Sequence, residues 1–336
     1  MHRIALVLSY FGRFNEYFPL WLHSCRENPT VDWLVFTDDR RAFDYPLNVK
    51  VFYTTFHDIR KRIQELFDFR IGLRTPYGLC SYKVAYGDVF REYLDAYDFW
   101  GHCDCDVIWG DIRRFLPESI LQAYNKISQW GHFTLYRNDP SINRLYRVEV
   151  NGHKLCERYF ESDLELLFFD EHGINVIFEK KGQKMYTGIP FADLRPRRGN
   201  FYLEHLPPDE SYKNRRQVFL WEKGRLLRLY LDQGGVCEEE MMYIHFLKRA
   251  MTTPDGFPCR ERFGIIPNEF IDIDRSHVTP AFLARAGRRR VFWRYWLDKG
   301  RMSSLWQRWH YCVHVRARRR RVLEDIHTLL AELQPD

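Results

Sequence analysis

The chain opens on Arg3-Ile-Ala-Leu-Val-Leu-Ser9, an apolar run without the alternation of a strand exposed on one face. Such a run suits a strand covered on both faces. Residues 16–28 read as a helix, and Asp32-Trp-Leu-Val-Phe-Thr37 and Val49-Lys-Val-Phe-Tyr53 as two further strands. Strand, helix, strand at this spacing, with polar residues at the strand ends, predicts an open, mostly parallel α/β sheet flanked by helices. Ligands of such sheets sit at the carboxyl ends of the strands, here Ser9-Tyr-Phe-Gly12 and Thr37-Asp-Asp39. Farther on, 82–97 reads as a helix with Val84, Phe90, Tyr93 and Leu94 on its apolar side, and a short helix follows near 112–116. Residues 140–215 give no clear pattern, 218–221 and 226–231 look like strands, and 238–249 reads as helical or mixed.

Composition narrows the class. Of 336 residues, 45% are hydrophobic and 17% aromatic, enough for a large core, which excludes wholesale disorder. No apolar run approaches the roughly 18–20 residues of a membrane-spanning helix. The short apolar stretch Ile4–Leu8 reads as a first strand rather than a signal peptide. Eight scattered cysteines lack the spacing of a zinc site or disulfide framework, so reduced thiols and a cytoplasmic setting are expected. Charge divides the chain. Between Arg275 and Arg321 there are 14 Lys or Arg and one acid, Asp298, against a net charge of +6 overall, so the rest is acidic. We therefore expect a body over 1–274 and a basic appendage over 275–336.

The most informative motif is Asp104-Cys-Asp106, reached through an apolar approach containing Tyr97, Phe99 and Trp100. On an extended strand the two carboxylates point to one side, and Cys103 and Cys105 to the other, towards packing. Converging carboxylates are costly unless a cation neutralises them. A hard divalent ion, Mn²⁺ or Mg²⁺, suits oxygen ligands and leaves positions open for a diphosphate. The alternative is a solvated turn. Phe168-Phe-Asp-Glu-His172 puts Asp170 and Glu171 behind apolar residues, a setting that raises a carboxyl pKa, unless the segment is a surface turn.

The Asp-x-Asp run resembles the motif of GT-A fold, nucleotide-sugar-dependent glycosyltransferases. The wider blocks, Leu79 to Asp88 and Tyr97 to Asp111, together with Ser9-Tyr-Phe-Gly12 and Phe36-Thr-Asp-Asp39, are similar to bacterial capsule and lipopolysaccharide transferases, with galactosyl or galactofuranosyl transfer as the narrower suggestion. The resemblance spans residues 1–250 and implies a Rossmann-like body. It implies that Asp104 and Asp106 hold the metal and diphosphate. It further implies that His245 completes the metal shell and that Lys248 meets the diphosphate. A helical turn would put His245 and Lys248 on one face. Ser9, Tyr10, Phe11, Asp38 and Asp39 are implied at the uridine, although Tyr10 and Phe11 would serve equally as core. Lys83 and Asp88 could contact the sugar or diphosphate, or be exposed charges on an amphipathic helix. An inverting enzyme needs a carboxylate base, for which Glu171 is preferred over Asp170; a retaining enzyme needs none.

The tail interleaves arginines with Phe292, Trp293, Trp296, Leu305 and Trp309. This pattern suits an interfacial helix on an anionic membrane surface, or an appendage packed on the body. No nucleic-acid-binding motif accompanies it. The sequence therefore points to a hexosyltransferase using a UDP-sugar and an oligosaccharide or lipid-linked acceptor, peripheral on the cytoplasmic face of the plasma membrane. Two alternatives are a nucleotidyltransferase, although no Gly-Ser phosphate loop precedes the acids, and a non-catalytic peripheral membrane or nucleic-acid-binding protein.

Overall fold

The computed structural model describes residues 1–165, 167–195, 199–204, 210–254, 257, 261–286 and 316–335. The aromatic part of the basic tail, 287–315, lies outside them. In chain order the strands are β1 (Ile4–Tyr10), β2 (Val31–Thr37), β3 (Val49–Tyr53), β4 (Phe99–Cys103), β5 (Val107–Trp109), β6 (Lys126–Trp130) and β7 (Phe133–Arg137). There follow β8 (Glu149–Val150), β9 (His153–Lys154), β10 (Met185–Tyr186), β11 (Phe191–Asp193) and β12 (Gln217–Glu222). The last are β13 (Arg225–Asp232), β14 (Gly235–Met241), β15 (Tyr243–His245), β16 (Arg262–Ile266) and β17 (Glu269–Ile271).

Seven strands form the main sheet in the order β10-β6-β7-β4-β1-β2-β3. β1 runs parallel to β2 and β4, β2 to β3, and β10 to β6, while β7 is antiparallel to both its neighbours. The expected mixed, mostly parallel α/β sheet is therefore present. Both its faces are covered, which explains the unbroken apolar run of β1. Ala5 and Val7 pack with Ile59, Tyr86, Phe90 and Phe178 on one side; Ile4, Leu6 and Leu8 pack with Phe18, Trp21 and Trp109 on the other.

Beyond β4 the chain leaves the sheet. β5 joins β15, and β15 joins β11, in a three-stranded sheet. An antiparallel sheet, β14-β13-β12-β16-β17, packs against it through Phe219, Trp221, Leu226 and Phe263. The helix Arg316–Glu332 returns to the body, burying Ile326 and Leu330, with Leu333 just beyond, in the core that contains Leu155 and Phe160. Among the described residues no helix is long and apolar enough to cross a membrane.

Two expectations are corrected. The segment 82–97 is a series of short turns, Leu79–Tyr82, Lys83–Ala85, Tyr86–Val89 and Arg91–Leu94, rather than one helix. Residues 238–249 are not helical. They finish β14, form β15 and end in a turn, so His245 and Lys248 do not share a helix face. Met241 to Phe246 are all buried, and a short run that is apolar but for His245 cannot separate a buried strand from a buried helix.

Candidate active site

The carboxyl ends of β1, β2 and β4 share one edge of the main sheet, and the start of β7 meets it where Cys103 pairs with Phe133. Asp104, Cys105 and Asp106 make the bend that carries the chain from β4 to β5. Cys103 and Cys105 are buried in the core, while Asp104 and Asp106 on the same bend are only partly buried. Asp104 donates its N–H to the carbonyl of His132 (3.1 Å), which ties the bend to β7.

His245, the last residue of β15, lies opposite Val107 at the start of β5, so antiparallel pairing carries it to Asp106. Its Nε2 lies 3.4 Å from Asp106 Oδ1, and its Nδ1 lies 2.8 Å from Asp193 Oδ1. Asp104, Asp106 and His245 each offer a ligand atom, all within 4.8 Å of one another. Burial lowers the basicity of His245, but Asp106 and Asp193 more than reverse this and hold it well above the usual histidine range. Burial raises Asp106, but His245 and the Lys248 N–H hold its carboxyl below the usual range. That N–H donates to Asp106 Oδ2 (2.8 Å) from a turn where Leu247 and Lys248 have φ of 47° and 60°. Two consecutive left-handed L-residues cost roughly 1–2 kcal/mol each, a strain tolerated where it aims a donor at the acid. The Lys248 ammonium rests 3.6 Å from the ring centre of Tyr77.

A second wall is acidic. Lys83, 7% exposed, donates to Asp104 Oδ1 (2.6 Å) and to the carbonyl of Gly131 (2.8 Å). Gly131 sits against the π-helical turn Phe169–Gly173: its N–H donates to Glu171 Oε1 (2.9 Å), and a Cβ there would lie 2.5 Å from Asp170 Oδ2. The glycine therefore lets both carboxyl groups approach the β6–β7 turn. Asp170 is buried, with no hydrogen-bond partner for Oδ1 among the described residues. Burial, opposed by Lys83, pushes its carboxyl up to about 7. Beneath this turn Lys126 donates to the carbonyl of Ser128 (2.6 Å) and to Asn175 Oδ1 (2.7 Å), while Asn175 donates to the carbonyl of Glu171. Burial pulls the Lys126 ammonium down to about 7.

Residues 6–274 match the model of a family of unknown function, DUF6625. The chain belongs to this family. No curated protein matches the DUF6625 chain. Solved structures similar to it include galactosyltransferase LgtC in complex with donor and acceptor sugar analogues. That pair is 9% identical with a TM-score of 0.32, covering 56% of this chain and 75% of that one. Mouse xyloside xylosyltransferase 1 in its apo form is also similar, at 9% identity and a TM-score of 0.33, covering 58% of this chain and 88% of that one. Overlap this loose carries no argument about activity.

The remaining predicted positions of the DUF6625 chain are spread along the same edge. Asp38 accepts from Gly12 N–H (2.7 Å) and Asp39 from Phe14 N–H (2.9 Å). Asp39 also pairs with Arg41 at 2.5 Å, which holds its carboxyl well below the usual range. Both acids thus fasten the loop after β1. Tyr10 donates from its hydroxyl to the Arg13 carbonyl (3.1 Å), and Phe11 joins the core near Phe56; Ser9 is half-buried, just past the buried part of β1, which ends at Leu8. Asp88 accepts from Tyr146 (2.7 Å) and pairs with Arg147 rather than with the Asp104 group. Sequence reasoning missed His132, Asp193, Gly131 and Lys126. Asp193 is recognisable only once β11 and β15 are known to pair in parallel, with Asp193 opposite His245.

Proposed function

We propose that this chain is a divalent-metal-dependent glycosyltransferase that uses a nucleotide sugar, with a GT-A type arrangement. The observation that carries the proposal is the convergence of Asp104, Asp106 and His245 within 4.8 Å, with His245 Nδ1 fixed by the buried Asp193. The donor set fits a metal of the Mn²⁺ or Mg²⁺ type: two carboxylates for a hard cation, and an imidazole held by an outer carboxylate. Asp104, Asp106 and His245 would hold the ion, which when bound neutralises charge on a leaving diphosphate. Lys83 orients Asp104, and Lys248, whose N–H meets Asp106, offers an exposed ammonium as a point charge for phosphate.

The Phe169–Gly173 turn supplies the carboxylate that takes the acceptor hydroxyl proton. Glu171 is the better placed, since it is partly exposed where Asp170 is buried, and Gly131 N–H holds its Oε1. The finer proposal is a UDP-sugar donor and an oligosaccharide or lipid-linked acceptor in surface-polysaccharide synthesis, with inversion at the transferred carbon. The appendage after residue 274 would hold the enzyme on an anionic cytoplasmic membrane surface. Arg316, Arg318, Arg320 and Arg321 are exposed on the docked helix, which supports this part of the proposal. The test is UDP release from a panel of UDP-sugars with oligosaccharide acceptors, with and without chelator. Chelator-sensitive release that rises with acceptor is expected; release insensitive to chelator would overturn the proposal.

A further inference from the structure

A second group of potential ligands lies behind the first. His132, Asp193 and His245 also offer one ligand atom each within 4.8 Å of one another, and unlike Asp104 and Asp106, which share one bend, they come from three separate segments and are all buried. They are 5%, 3% and 4% exposed. Their juxtaposition is built into the sheets. Asp193 and His245 end β11 and β15 and are paired in register, and His132 immediately precedes β7. The His132 and His245 rings stack, with centroids 4.2 Å apart and planes at 20°. Tyr243 Oη lies 3.0 Å from His132 Nε2 and fixes that ring.

Burying a carboxylate with two imidazoles is expensive unless positive charge is shared among them. Two imidazoles and one carboxylate are also a recurrent three-ligand set for Zn²⁺, whereas carboxylate-rich sites suit Mg²⁺ and Mn²⁺. We propose that His132, Asp193 and His245 form a buried binding site for a borderline divalent cation, Zn²⁺, separate from the outer Asp104 and Asp106 position but drawing on the same His245. A neutral imidazole carries one lone-pair nitrogen, so His245 serves one cation at a time. Zn²⁺ on the inner group therefore withdraws His245 from the outer one, and the two occupancies exclude each other. The exclusion rests on the outer site proposed above; the inner site does not.

The test uses the full-length chain, stripped of metal, and the metals alone. Zn²⁺ is expected to bind with one-to-one stoichiometry, and X-ray absorption of the loaded wild type should show two imidazoles in a four- or five-coordinate shell. Zn²⁺ should also displace Mn²⁺, read as the return of the free Mn²⁺ paramagnetic resonance signal. His132→Gln should weaken Zn²⁺ at least about tenfold, since loss of even an outer partner commonly costs that much, and leave Mn²⁺ affinity within about twofold. A six-coordinate shell with one imidazole, absence of stoichiometric Zn²⁺ binding, or undiminished Zn²⁺ affinity in His132→Gln would overturn the inner site. Should His132→Gln fail to fold, the imidazole count of the wild type decides. Failure of Mn²⁺ binding with Zn²⁺ binding intact would count against the outer site alone.

Discussion

Asp170→Asn isolates the electrostatics of the acidic wall. The carboxyl group is buried beside Glu171, with Lys83 as its main source of opposite charge, and titrates at about 7 against 3.8 in an unfolded chain. Between these values the folded protein holds a proton that the unfolded chain has released. Stability from this group is therefore complete below pH 3.8 and is lost as pH rises through about 7. One proton corresponds to about 1.4 kcal/mol per pH unit, so across the interval the wild type loses up to ~4 kcal/mol that the isosteric amide cannot lose. Urea unfolding of both proteins at several pH values between 4 and 8.5 measures this. The stability difference, wild type minus Asp170→Asn, should fall steadily to about pH 7 and then level off. A difference independent of pH, or one that rises, would refute the placement of Asp170 in a dry, net-acidic setting.

Other outcomes follow from single contacts. Asp193→Asn removes the carboxylate at His245 Nδ1 and should weaken Mn²⁺ binding about 10–100-fold by calorimetry, with the far-ultraviolet circular dichroism unchanged. Gly131→Ala places a methyl group 2.5 Å from Asp170 Oδ2 and 3.0 Å from Glu171 Oε1, so the acids must shift. A catalytic atom misplaced by about 1 Å can cost ~10²-fold, so acceptor-dependent UDP release should fall well beyond any change in melting temperature. Ile326→Ala empties a wholly buried site beneath the last helix and should cost about 2–5 kcal/mol, seen as a lower urea midpoint and faster proteolysis after residue 316.

The central strands were legible because burial on both faces leaves a nearly unbroken apolar signature, which β1 and β2 carry. Asp104 and Asp106 were legible as a pair, but the structure sets them in a bend between two sheets rather than on one side of a strand. His245 came into view only through family resemblance. Apart from His245 itself, its segment is apolar from Met241 to Phe246, which fits either period, and β15 is defined by pairing with β5 and β11, far away in sequence. His132, Asp193 and Gly131 carry no local signature at all; their positions depend on strand register. Lys126 likewise carries no local signature; it is buried where Ser128 and Asn175 satisfy its ammonium group.

The central claim is that Asp104, Asp106 and His245 hold a cation that receives a nucleoside diphosphate. Calorimetric titration with UDP, with and without Mn²⁺, on wild type and Asp106→Ala tests it most directly. UDP binding that requires Mn²⁺ and disappears in Asp106→Ala is the predicted result. UDP binding that is indifferent to Mn²⁺ and survives in Asp106→Ala, or no binding under any of these conditions, would contradict it.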